Sequence, residues 1–428
     1  MNNLIADVIG DAALVLIVSS LFGAAARRLG QPAVIGQILA GILLGPSLLG
    51  HLPGHLSSRL FPQAALPYLN VLSQVAVALF MFGVGYELNR KSLRQGYRAA
   101  LLVAVAALAV PMVLGSGSVL VVRRVYTGLG QSVTGHSLIL FMGVAVSITA
   151  LPVLAAIMRE RGLSGTKAGV TATTAAGIMD VAAWILLAAA LVGTANSPSR
   201  PWPVTLLLIA GFAAVMLLGV RPALSWWISR PGTLLANQVP VALALTLGSA
   251  WVTASLGLHP VFGGLLAGFT MPSREGGADP DVLRAVEGGS NALLPLFFVV
   301  TGLSVNVSEL NGNAFAALAL LTAIASIGKL APAYLASRAG GLDRTDAATT
   351  AALVNTRGLT ELIALNVGLS AGLIGQRLFS VLVLMAVLTT TTTGPLLTLI
   401  KPRTAAGPAD ADDRFVYPKG EVQYEPPV

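Results

Sequence analysis

The chain of 428 residues is 55% hydrophobic and only 10% charged, with a mean hydropathy of +0.80. A soluble chain carries about 25% charge, so a soluble globular domain is excluded and an all-α polytopic membrane protein is expected. The net charge of +8 sits in short loops between apolar segments, a pattern that fixes membrane orientation and argues against nucleic-acid binding, and the absence of cysteine excludes disulfides, thiol catalysis and thiolate metal sites.

A bilayer core of about 30 Å needs roughly 20 apolar residues per helix. Breaking the chain at charges and at Pro and Gly clusters predicts thirteen spans near 5–26, 33–50, 68–87, 98–121, 137–158, 168–193, 203–219, 237–256, 259–271, 289–304, 313–336, 346–372 and 377–400. The region ahead of Asp7 lacks the positive leading charge of a signal peptide, so the first stretch reads as a retained helix. Alternating the loops between two sides puts seventeen basic residues on one side, from Arg27 and Arg28 to Lys401 and Arg403, and five on the other (Arg59, Arg123, Arg124, Arg200, Arg377). The basic side is cytoplasmic by the positive-inside rule, which predicts an outer N-terminus and a cytoplasmic C-terminus in a cell membrane. The segment 401–428 is rich in Pro and acids without apolar period and is expected to be a disordered cytoplasmic tail, with no nucleotide-binding domain after the last span.

Four ionisable residues fall deep within spans: Asp180, Lys329, Arg357 and Glu361. A charge at mid-bilayer costs about 2.5–3.5 kcal/mol on insertion scales, so such residues mark ion or proton sites unless they pair statically with one another. Asp180 lies in a stretch otherwise made of apolar and small residues and is the first candidate. Arg357 and Glu361, four residues apart, are spaced to pair along one helix face and to stabilise the segment around them. Asp7, Asp11 and Glu87 are expected at span ends as interfacial charges, and His51, His55, His136 and His259 in or beside outward loops, without metal-site spacing.

Two spans carry polar interruptions. In the fifth, Ser147 and Thr149 precede Pro152, which removes a backbone donor and frees a carbonyl; in the twelfth, Asn355-Thr356-Arg357-Gly358 interrupts the apolar run. Broken backbone at membrane depth is tolerated only where protein or a cavity surrounds it, and two such helices in separate halves point to a substrate site between inverted repeats.

At these residues the chain resembles the monovalent cation:proton antiporter-2 family, which includes Kef-type potassium efflux proteins, bacterial sodium/proton exchangers and plant cation/proton exchangers. The resemblance is carried in order by residues 36–50 (GQILAGILLGPSLLG), 79–88 (LFMFGVGYEL), 147–155 (SITALPVLA), the helix around Asp180, 259–268 (HPVFGGLLAG), 294–306 (LPLFFVVTGLSVN), Gly328-Lys329 and 355–366 (NTRGLTELIALN). It implies a core domain of helices near 98–193 and 313–400 with two crossed, unwound helices, a dimerisation scaffold near 5–87 and 203–304, elevator-like alternation of access, and a homodimer. It further implies that Asp180 binds the ion, that Lys329 pairs with it or competes with the cation, and that Ser147, Thr149, Pro152, Thr356 and Gly358 line the ion path. One position departs from the pattern: the residue before the aspartate is usually Asp, Asn or Gln, and here it is Met179, which offers an alkali cation no hard oxygen.

The function expected is electroneutral exchange of Na⁺ or K⁺ for H⁺ by competition for Asp180, with no cofactor and no enzymatic chemistry. The alternative that Met179 motivates is an antiporter-like scaffold that has lost exchange and binds or converts a hydrophobic small molecule. A passive channel is disfavoured by the buried acid and base.

Overall fold

The fold was analysed in a computed structural model, which describes residues 2–51, 60–87, 97–129, 131, 136–163, 165–191, 202–230, 235–256, 259–272, 278–308 and 310–402. Among these residues the chain is helical and contains no strand. The first half comprises α1 (Asn2–Arg28), α2 (Ala33–Leu44), α3 (Leu66–Glu87), α4 (Tyr97–Val121), the short α5 (Arg123–Gly128), α6 (His136–Ser147), α7 (Leu151–Glu160) and α8 (Lys167–Leu191). A long helix follows, built of α9 (Trp202–Ala214), a π-helical segment (Val215–Val220) and α10 (Arg221–Ile228). The second half comprises α11 (Leu235–Ser255), α12 (Pro260–Thr270), α13 (Pro280–Leu303), α14 (Gly312–Ala339), α15 (Arg344–Val354), α16 (Leu359–Ser370) and α17 (Gln376–Ile400).

The two halves repeat one order: a long helix, a short one, two long ones, a broken pair and a long one. Equivalent helices stand seven crossings apart in the predicted topology, so they run in opposite senses, which makes the repeats inverted. The packing obeys the same symmetry. Short α2 lies on α13, short α12 lies on α3, and α4 pairs with its counterpart α14. Contacts concentrate in two groups, one of α1–α3 with α11–α13 and the other of α4 and α6–α8 with α14–α17.

Glycine decides how closely the first group packs. A Cβ on Gly41 would overlap the Val299 carbonyl and Gly302, and one on Gly268 would overlap the Phe82 carbonyl and Gly85. These pairs occupy matching positions of the repeats, ILAG (38–41) with LLAG (265–268), and LFMFGVG (79–85) with LFFVVTG (296–302). Small residues let backbones approach in a bilayer, where no hydrophobic force draws helix to helix and contact distance governs attraction.

Each predicted span has a helical counterpart, with three boundaries corrected. The second span is helical only over Ala33–Leu44, about 18 Å at 1.5 Å per residue, and is followed after Gly45-Pro46 by a single 3₁₀ turn at Leu49–His51. The seventh does not stop before Arg221-Pro222: the backbone widens to the π form, the Arg221 N–H reaching the Met216 carbonyl, and continues to Ile228. The wider turn accommodates the donor that Pro222 lacks. The tenth starts at Pro280, because Asp281, Arg284 and Glu287 belong to polar first turns of the helix capped by the Asp279 side chain, which accepts the Asp281 N–H at 3.0 Å. His55, Asn89, Arg90, Lys91 and residues 403–428, like the side chains of His51 and Glu87, lie outside the described residues.

Replacing Gly302 or Gly268 by Leu should lower the melting temperature in detergent, because overpacking a close contact costs about 1–3 kcal/mol. Gly117→Ala on α4, where a Cβ meets nothing within 4 Å, should leave it unchanged or raise it. Equal behaviour of the three variants in a thermal melt would remove the close-contact account.

Candidate ion-binding site at the crossed helix breaks

The first break follows from the chain's local chemistry. The helix α6 ends at Ser147, residues 148–150 leave helical geometry, and α7 restarts at Leu151 with Pro152 in its second position, where a missing N–H costs nothing. The second break lies between Val354 and Leu359, with Asn355 capping α15 and Gly358 preceding α16. The breaks cross and bond to each other. The Ala150 N–H donates to the Thr356 carbonyl at 3.0 Å, the Thr149 hydroxyl to the Val354 carbonyl at 2.9 Å, and the Thr360 hydroxyl to the Thr149 carbonyl at 3.3 Å. A Cβ on Gly358 would press on Val153, so the crossing needs its small residue.

Two cations saturate one side of this crossing. Lys329 Nζ donates to the Ser147 carbonyl at 2.6 Å, the Ile148 carbonyl at 2.8 Å and Thr149 Oγ1 at 2.8 Å. Arg357 donates to the Ala145 carbonyl at 3.1 Å and to the Val146 carbonyl, and pairs with Glu361 at 2.8 Å. Four consecutive carbonyls at the end of α6 are thereby bound by cationic side chains. All three charged residues are fully buried. Thr390 of α17 holds the second break, accepting the Arg357 N–H at 3.1 Å and lying 2.9 Å from the Arg357 carbonyl.

Asp180 contrasts with these groups. It is 2% exposed, and neither carboxylate oxygen has a hydrogen-bond donor. Lys329 lies near enough for its charge to act on Asp180, yet its three donors are engaged elsewhere, so the direct Asp180–Lys329 ion pair is not formed. The preceding residue, Met179, is 1% exposed and places its sulfur 3.9 Å from Thr149 Oγ1. One hydroxyl, that of Thr149, therefore touches the lysine, the second break and the residue next to the aspartate.

The structure gathers Ser147, Thr149, Asp180, Lys329, Thr356, Arg357, Gly358 and Glu361 in or against the two breaks. The hydroxyls of Ser147 and Thr356 turn back on their own helices, to Val144 at 3.0 Å and Leu353 at 2.8 Å, so the backbone of these residues, more than their side chains, builds the crossing. Reading the sequence missed the bond of Thr390 to the break. Its only signal was the run of threonines from 389 to 393, unusual in an apolar helix. Asn355 carries no signal in the sequence beyond its place in the polar interruption. His259 caps α12, its ring lying 3.5 Å from the Val261 N–H, and among the described residues no cluster of His, Asp and Glu forms a metal site.

Crossed helix breaks between inverted repeats, with a buried carboxylate beside them, define a secondary transporter of the sodium/proton antiporter fold. The solved sodium proton antiporter MjNhaP1 of Methanocaldococcus jannaschii has this fold: it superposes with a TM-score of 0.65 over 92% of this chain and 97% of that one, at 16% identity. In sequence, residues 14–400 match the family described as "Sodium/hydrogen exchanger, transmembrane". Among curated proteins the chain is 35% identical to the Na(+)/H(+) antiporter NhaS4 of Synechocystis, covering 94% of this chain and 99% of the relative, and 30% identical to the Na(+)/H(+)-K(+) antiporter GerN of Bacillus cereus, covering 90% and 94%. It is 35% identical to Cation/H(+) antiporter 20 of Arabidopsis thaliana over 92% of this chain, but spans only about half (48%) of that plant relative. The chain belongs to the sodium/hydrogen exchanger family and is a multi-pass membrane protein.

Removing Lys329 and removing Asp180 should have unequal effects on stability. Lys329→Ala strands buried carbonyls, each an unmet acceptor worth about 1–3 kcal/mol, whereas Asp180→Asn removes a charge that has no partner to lose. In a thermal melt Lys329→Ala should fall well below native while Asp180→Asn stays level or rises; a larger loss in Asp180→Asn would mean that the carboxylate is a structural partner.

Proposed function

We propose that this protein exchanges a monovalent cation, Na⁺ or K⁺, for a proton across a cell membrane, with both competing for Asp180. The observation that carries this reading is the buried carboxylate without a donor, set beside breaks whose other charges are already engaged. A bare carboxylate in that setting must be neutralised before it can cross between sides, and either a proton or a cation does so. Access alternates only when one of them is bound, and competition for one group gives exchange.

Stoichiometry follows from Lys329. In this reading Lys329, whose Nζ has three acceptors within 2.8 Å, stays bound to the α6 end and takes no part in the exchange. One carboxylate then carries one proton or one cation, and exchange is one for one and electroneutral. The two packing groups support a division of labour in which α4, α6–α8 and α14–α17 carry the site and move against the remaining helices, which form the scaffold of a homodimer in the bilayer. The N-terminus lies outside and residue 401 inside, by the distribution of basic loops. Na⁺ and K⁺ both appear in the names of the relatives, and Met179, which supplies no hard oxygen, favours weak cation binding.

In proteoliposomes with an imposed pH gradient, external Na⁺ or K⁺ should dissipate the gradient through native protein and not through Asp180→Asn. The rate should be the same at two clamped membrane potentials. Exchange that survives in Asp180→Asn would reject the site, and a rate that follows the potential would reject the stoichiometry.

A further inference from the structure

Two half-helix C-termini meet at the crossing, and the protein treats them differently. The end of α6 is bound by Lys329 and Arg357 through the carbonyls of Ala145, Val146, Ser147 and Ile148. The end of α15 receives only neutral donors: the Thr149 hydroxyl at the Val354 carbonyl, the Ala150 N–H at the Thr356 carbonyl, and the Thr356 N–H and hydroxyl at the Leu353 carbonyl. Among the described residues no lysine or arginine donates to a carbonyl there. A helix C-terminus carries about half a negative charge and favours a cation, so the α15 end is the one whose carbonyls no protein cation binds directly, Lys329 standing one hydroxyl away at Thr149.

Asn355 caps that end. It is 0% exposed, and both its Oδ1 and Nδ2 are buried without a hydrogen-bond partner. Paired polar atoms are the rule inside proteins, and a side chain wholly without partners marks a place where a small polar ligand fits. Its position relative to Asp180 follows from Thr149, whose Oγ1 bonds the carbonyl of Val354, one residue before Asn355, and contacts the sulfur of Met179, one residue before Asp180. The residues just before the two unpartnered side chains thus meet at one hydroxyl, and α15 packs on α8. We infer that Asn355 is a cation ligand, its carboxamide oxygen joining the Asp180 carboxylate and supplying from the second break the hard oxygen that Met179 lacks. This rests on the reading of Asp180 as the exchange site and adds the residue that sets affinity and selectivity among monovalent cations. A neutral amide adds oxygen without charge, so it leaves the one-for-one stoichiometry intact.

The test is exchange and cation-dependent thermal stabilisation of the full chain, native and with Asn355→Ala or Asn355→Asp. Asn355→Ala should melt at the native temperature without cation, since it loses no partner. Its apparent KM for the preferred cation should rise about tenfold, the Na⁺ to K⁺ preference should change, and kcat should fall less than threefold. Asn355→Asp should restore affinity and make exchange depend on membrane potential, because a second carboxylate adds a titrating charge. A KM and selectivity within twofold of native in Asn355→Ala overturns the inference while leaving antiport through Asp180 intact, and a variant that melts far below native shows a structural role and overturns it too. If the native protein exchanges no cation, thermal stabilisation by Na⁺ or K⁺ decides: stabilisation lost in Asn355→Ala supports the ligand, while stabilisation equal in both proteins or absent from both rejects it.

Discussion

The structure depends on what happens to backbone carbonyls freed in the middle of a membrane. An unpaired peptide group in hydrocarbon costs several kcal/mol, and a helix end leaves four orphan carbonyls. The break after Ser147 places such an end among buried residues, Ser147 through Ala150. The protein covers it with Lys329 and Arg357, each fully buried and bonded mainly to backbone. Their positive charges are in turn offset by the negative end of α6 and, for Arg357, by Glu361 at 2.8 Å. Two of the four charges deep within spans thus bind the end of one broken helix, and a third, Glu361, pairs with one of them.

That arrangement is what leaves Asp180 distinct. Had the lysine been bound to the aspartate, the pair would be a static buried bridge and neither group would be available to a substrate. Because the carbonyls engage the lysine, its charge is near the carboxylate without occupying it. Thr149 links the two functions: its hydroxyl accepts from Lys329, donates to Val354 and contacts Met179, so movement of either break is felt at the residue beside Asp180.

The rest of the fold presents this crossing. Inverted repeats bring the two breaks together from opposite directions, so that donors pass both ways, from Ala150 to Thr356 and Thr149 to Val354, and from Thr360 back to Thr149. In the first packing group the matched glycine contacts, Gly41 with Gly302 and Gly85 with Gly268, bring short α2 and α12 close to long partners. A helix of 11 or 12 residues cannot span the hydrocarbon alone, and close packing is what holds it there.

The sequence by itself determined the number of spans, their inverted order, the places of both breaks and the four buried charges, because hydropathy, proline and the cost of an ion in lipid are local quantities read residue by residue. The spacing of four also pointed to the Arg357–Glu361 pair, although Arg357 stands in the break ahead of α16 and shares no helix with Glu361. Span ends were less legible: the charged first turns before residue 289 and the continuation past Pro222 depend on capping and on a π turn, which charge counting does not register. Only the tertiary structure decided that Lys329 binds carbonyls of a helix nearly two hundred residues away in sequence, that Thr390 clasps the second break and that Asn355 is left without a partner. Those outcomes depend on which helices cross at which depth, and competition among acceptors for a lysine's three donors is settled by distance in space, which no spacing along the chain records.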